Sequence, residues 1–142
     1  MVQVAVFQVA EVRVAIARLT SALPAFETLH NLLPSRRVGV GFSQGAALLS
    51  AALLSGELCV EGVAMLAGFI VRPPAVSLAC RPRIFIGHGI KDEVVSVERA
   101  RKGVATLRAL NLDVVYVEDD VGHKVGITST RTLKGWIEGV LA

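Results

Sequence analysis

The spacing of hydrophobic positions along the chain changes several times, and each change marks a new element. Val2, Val4 and Val6 alternate with Gln3, Ala5 and Phe7, a period of two that predicts a short strand. Val12, Ile16, Leu19 and Leu23 recur at helical spacing and predict an amphipathic helix over residues 11–23, with Pro24 expected to bend or end it. Phe26, Leu29, Leu32 and Leu33 continue a helical pattern as far as Pro34. Residues 36–42 read as a strand, 44–55 as a helix ended near Gly56, and 60–66 as a second strand. Residues 67–80, with Arg72-Pro73-Pro74 inside, read as a loop. Residues 84–86 open a third strand that closes at Gly87-His88-Gly89. Val97, Ala100, Val104, Leu107 and Leu110 form the next helical stripe, with Ser96 placed as its N-cap and Glu98 in its first turn. Residues 113–118 predict a fourth strand, 119–126 a loop holding His123. Leu133, Trp136, Ile137, Val140 and Leu141 give a final helix one apolar face.

Strands that alternate with helices imply an α/β fold: a mostly parallel sheet flanked by helices, with right-handed crossovers. No internal repeat or low-complexity segment interrupts the 142 residues, which are expected to form one domain, 1–142. A chain of this length buries roughly two thirds of its unfolded surface. The apolar fraction of 53% and the mean hydropathy of +0.59 are high, as expected when strands are covered on both faces. Residues 38–56 carry no charge and are long enough to cross a bilayer, but Gly39, Gly41, Ser43, Gln44 and Gly45 break the first half. A buried strand followed by a buried helix explains the run better, so no membrane span is expected. Residues 1–10 lack a basic region and a cleavage site, so no signal peptide is expected.

The formal net charge of +3 comes from scattered residues. Arg99, Arg101 and Lys102 are the nearest approach to a basic cluster and read as the solvated face of a helix. With aromatics at 5%, no stacking platform for nucleic acid is expected. Cys59 and Cys80 fit no metal-ligand spacing and are read as two buried thiols in a reducing, cytoplasmic compartment.

The chemistry gathers around Gly41-Phe42-Ser43-Gln44-Gly45, a G-x-S-x-G sequence between a predicted strand and a predicted helix. A sharp turn there lifts the Ser43 hydroxyl clear of the sheet, and flanking residues without a β-carbon are expected to relieve the crowding. The helix start sets the Gln44 N–H and the positive end of a dipole beside any oxyanion that forms. In open α/β sheets, functional groups collect at the carboxyl ends of strands. Ser43, Asp92 and His123 stand at three such ends, in the order Ser, Asp, His. A serine hydroxyl needs a base such as His123 to take its proton, and a carboxylate such as Asp92 to orient that base. Glu93 is the rival acid. His88 precedes the acid in a Gly-His-Gly turn and is read as structural, and His30 as a surface or second-face residue.

Gly41-Phe42-Ser43-Gln44-Gly45, Ala67-Gly68-Phe69-Ile70, His88-Gly89-Ile90-Lys91-Asp92 with Val94-Val95, and Gly122-His123 together resemble the phospholipase/carboxylesterase branch of the α/β-hydrolases, which includes acyl-protein thioesterases. The resemblance runs from about residue 35 to the C-terminus. It implies a serine hydrolase of carboxylic esters or thioesters, acting through an acyl-enzyme and without cofactor. Ser43 would be nucleophile, His123 general acid/base, Asp92 its orienting acid and Gln44 a backbone oxyanion donor. That family carries further strands ahead of this helix, and an early loop, usually with a His-Gly pair, supplies its second oxyanion donor. The His-Gly pair here, His88-Gly89, follows Ser43. The resemblance therefore implies a truncated or minimal α/β-hydrolase fold with an exposed sheet edge, through which homo-oligomers could form. The alternative reading is a non-catalytic fragment or partner-binding module with an incomplete oxyanion hole.

Overall fold

The computed structural model describes residues 9–142. The strand expected from Val2, Val4 and Val6 lies outside the described residues. Helix α1 (Val9–Leu29) leads to β1 (Val38–Phe42), α2 (Gln44–Leu54), β2 (Gly62–Leu66), β3 (Arg83–Gly89), α3 (Val97–Ala109), β4 (Val114–Asp119) and α4 (Ile127–Leu141). The four strands form one parallel sheet in the order β1-β2-β3-β4. The register aligns Phe42 with Leu66, Leu66 with Gly87, and Gly89 with Asp119, so the strand ends that carry the candidate chemistry share one edge.

Alternation along the strands sends side chains to two cores. Val63, Met65, Ile84 and Ile86 face α1, α2 and α3, where they meet Ile16, Leu53, Val104 and Leu107. Ala64, Leu66 and Phe85 face α4, where they meet Trp136 and Val140. Between β2 and β3 the chain crosses over without a helix. Its Ile70, Val71, Val76 and Leu78 pack on the first core, and the Val71 N–H donates to the Ser50 hydroxyl of α2 at 2.9 Å. Just beyond the last turn of α2 lies Gly56, whose φ of +79° suits glycine. The N–H groups of Gly56 and Glu57 close the last turn on the carbonyls of Leu53 and Ala52.

Two expectations are corrected. Helix α1 does not end at Pro24 but runs through it, and the expected apolar segment of residues 26–33 divides between its last turns and the loop beyond. Proline lacks the N–H that would donate within the helix, and in the following turn Arg37 holds Glu27 with two charged bonds of 2.5 and 2.8 Å. Phe26, Leu29, Leu32 and Leu33 are exposed, so the apolar pattern there covers no core. Cys59 and Cys80 are not buried thiols. Cys59 is exposed, Cys80 is half-buried, and the two form a disulfide across a Cα–Cα distance of 5.4 Å. The bond staples the start of the β2 region to the approach to β3, and it removes the free-thiol argument for a reducing compartment. Among the described residues no helix is long and apolar enough to cross a membrane.

Candidate active site

Ser43 occupies the turn between β1 and α2 with φ 52° and ψ −111°, a conformation few non-glycine residues adopt. Backbone hydrogen bonds on both sides hold it there. The Ser43 N–H donates to the Leu66 carbonyl at 2.8 Å, and the Ser43 carbonyl accepts from the Ala47 N–H at 3.2 Å. Gly41 makes the turn possible. A Cβ on it would lie 2.5 Å from the Gly45 carbonyl carbon and oxygen and 2.6 Å from the Ala46 nitrogen, all backbone atoms that cannot give way. Gly45 differs from the expectation, because a Cβ there would meet nothing within 4 Å. Gln44 begins α2, so its N–H is among the amides of the first turn that have no partner within the helix.

Asp92 lies beyond β3 in a loop, and its carboxylate organises that loop. One oxygen, Oδ1, accepts the N–H groups of Val94 and Val95, both at 2.9 Å, while Oδ2 accepts from His123 Nδ1 at 2.8 Å. Burial alone would raise the pKa of this carboxyl. The Val95 N–H, the His123 ring and the Val94 N–H outweigh burial and hold it below the ordinary value. Glu93, the rival acid, is exposed to solvent.

His123 sits in the loop between β4 and α4. A carboxylate only accepts, so the proton is on Nδ1, and Nε2 is left to accept the Ser43 hydroxyl at 3.1 Å. The imidazole also meets the Phe42 ring, with centroids 5.1 Å apart. The loop reaches this position because Gly89, at the end of β3, lets the carbonyls of Val121 and Gly122 pack where a Cβ would stand. Asp119 fixes the other end of the loop. Its carboxylate accepts the N–H groups of Thr128 and Ser129, each at 2.9 Å, and so caps α4 from the end of β4.

The structure therefore brings Ser43, His123 and Asp92 into one hydrogen-bonded line. It leaves Glu93 out and places the Gln44 amide at the helix start next to Ser43. Sequence reasoning missed two participants. Asp119 falls in the expected loop of residues 119–126; an acid at a strand end, ahead of Thr128-Ser129 at the next helix start, is the available signal. His88 is buried, as a structural histidine should be, but it also touches the acid: Nε2 is 2.8 Å from the Val95 carbonyl and 3.5 Å from Asp92 Oδ2.

The pattern of the phospholipase/carboxylesterase family matches residues 16–140. The chain belongs to that family. No curated protein sequence matches it. Among solved structures, the Bacillus cereus carboxylesterase superposes with a TM-score of 0.82 at 17% identity, over 96% of this chain and 65% of that one. Esterase PE8 gives 0.83 at 24% identity, over 93% and 63%. The carboxylesterase from Mesorhizobium loti gives 0.80 at 22%, over 94% and 64%. At these identities the likeness is one of fold, that of the α/β-hydrolases. This phospholipase/carboxylesterase chain spans just under two thirds of the length of each of the three.

Proposed function

We propose that the protein is a serine hydrolase that cleaves carboxylic ester or thioester bonds through an acyl-enzyme on Ser43. The observation that carries this reading is the line from Asp92 Oδ2 to His123 Nδ1, 2.8 Å, and from His123 Nε2 to Ser43 Oγ, 3.1 Å. As Ser43 Oγ attacks the carbonyl carbon, Nε2 takes its proton, and the Asp92 carboxylate stabilises the imidazolium that forms. The carbonyl oxygen becomes an oxyanion, which the Gln44 N–H and the α2 dipole stabilise. The tetrahedral species collapses, the bond to the alcohol or thiol breaks, and His123 gives the leaving group its proton. Water then attacks the acyl-serine with His123 again as base, releasing the acid and free Ser43. Every step uses side chains and backbone of this chain, and none needs a cofactor. The substrate is a small acyl ester or thioester.

The competing reading is a partner-binding module with an incomplete oxyanion site. It draws on the edge position of β1 among the described residues and on the share of its relatives' length that the chain spans. A fluorophosphonate probe decides between them. Labelling at Ser43, abolished by Ser43→Ala, is the outcome expected of the hydrolase; a folded chain that takes up no probe favours the module. A panel of short acyl esters, thioesters and amides then defines the bond cleaved.

A further inference from the structure

We infer that His88 is a positioning residue: through Val95 and Asp92 it holds the acid in the orientation that His123 requires. The inference about placement stands on geometry, and its kinetic consequence rests on the serine-hydrolase reading above. The His88 side chain is fully buried. The Val95 carbonyl can only accept, so its 2.8 Å contact puts the ring proton on Nε2. Nδ1 is then a bare lone pair, buried without a partner among the described residues. A leucine or phenylalanine would fill the same space without that unsatisfied acceptor. What histidine adds over an apolar residue is the Nε2 proton.

That proton is directed at the part of the site that most needs fixing. His88 lies on β3, in register with Glu118 of β4, so the sheet holds its backbone. Asp92 lies four residues on, in a loop. The Val95 peptide is gripped at both ends, its N–H by Asp92 Oδ1 at 2.9 Å and its carbonyl by His88 Nε2 at 2.8 Å. The same Nε2 approaches Asp92 Oδ2, the oxygen bonded to His123, at 3.5 Å. Rotation of the carboxylate would break the bonds from Val94 and Val95. Movement of the loop as a whole would break the bond from His88. The rigidity of the strand thus passes to the loop-borne acid, and through it to the tautomer and direction of His123.

Nitrogen–proton correlation spectra of the wild-type chain test the tautomer directly. His88 is expected to carry its proton on Nε2; a proton on Nδ1 overturns the inference. His88→Leu is expected to lower kcat on a short acyl ester by about 10²-fold with KM little changed, as a small misplacement of catalytic groups does. It should also shift or remove the far-downfield resonance of the His123 Nδ1 proton. His88→Gln carries an amide N–H at similar reach and should restore most of both. Unchanged kcat and resonance in a folded His88→Leu variant overturn the inference. So does a His88→Gln variant that matches His88→Leu in kcat at equal melting temperature. If His88→Leu fails to fold, the wild-type tautomer and the resonance in His88→Gln decide. A wild type that neither labels at Ser43 nor cleaves esters sinks the hydrolase reading, while the two spectroscopic measurements still judge the placement of the acid.

Discussion

Asp119, the last residue of β4, accepts both the N–H and the hydroxyl of Ser129, in the first turn of α4, on a single carboxylate oxygen. The loop that carries His123 hangs between these two residues. Burial pushes the Asp119 carboxyl up, but the hydroxyl and N–H of Ser129 and the N–H of Thr128 pull it down further, below the ordinary value. The native state therefore binds fewer protons than the unfolded chain in mild acid. The resulting stability is present above the ordinary carboxylate value of about 4 and is lost as pH falls through the lower native one. Asp92 acts with the same sign. Asp119→Ala should cost about 1–2 kcal/mol, the cost of losing a cap, and flatten the acid side of the stability curve. Urea unfolding at a series of pH values between neutral and acid measures both effects.

Ser43→Ala and His123→Ala should each lower ester turnover by at least about 10³-fold, and the double variant should be little worse than either single one, because the groups act as a unit. Retention of most activity in Ser43→Ala would remove the nucleophile assignment.

Asp92→Asn should lower kcat by up to about 10⁴-fold by favouring the wrong tautomer of His123. Glu93→Gln should leave the rate unchanged, since that side chain is exposed. The reverse pattern in steady-state assays would transfer the acid to Glu93.

The order of elements was legible because the hydrophobic period switches cleanly, as between Val38, Val40 and Phe42 and the helix that follows. The juxtaposition of Ser43, Asp92 and His123 was legible because a parallel sheet gathers its strand ends on one edge, and the three residues stand after β1, β3 and β4. Relations set by tertiary contact were not legible. The pairing of Glu27 in α1 with Arg37 ahead of β1 is made across the intervening loop. The disulfide depends on a crossover that returns Cys80 beside Cys59, which no local period encodes. His88 looked like a turn residue because its contacts with Val95 and Asp92 depend on how the next loop folds back.

The two glycines of the serine turn are not equivalent. Gly41→Ala places a Cβ against the Gly45 and Ala46 backbone, forces the turn open and should lower activity by about 10²-fold or more through displacement of Ser43. Gly45→Ala meets nothing and replaces a poor helix former in the first turn of α2, so stability should hold within about 0.5 kcal/mol or rise. Parallel thermal melts and esterase assays of the two variants measure this. Equal losses in both would show that the motif constrains the backbone for another reason.

The sheet edge gives the last prediction. Among the described residues β1 pairs only with β2, and no described strand covers its other side. Natural edges are usually guarded by charge, proline or a bulge. Val38–Phe42 contains neither charge nor proline, and Val40 and Phe42 are 51% and 45% exposed. We expect a second copy of the chain to pair along this edge, giving dimers or larger species that grow with protein concentration. Val40→Lys introduces a charge that would have to be desolvated on pairing, and it should shift the population toward monomer. Supplying the N-terminal strands of a related hydrolase in trans should compete for the same edge and, if those strands bring a second oxyanion donor, raise turnover by about 10²–10³-fold. Light scattering across a concentration series, run alongside the esterase assay, measures both responses. A wild type that stays a monodisperse monomer at every concentration and turns over esters fully without added strands would refute the pairing.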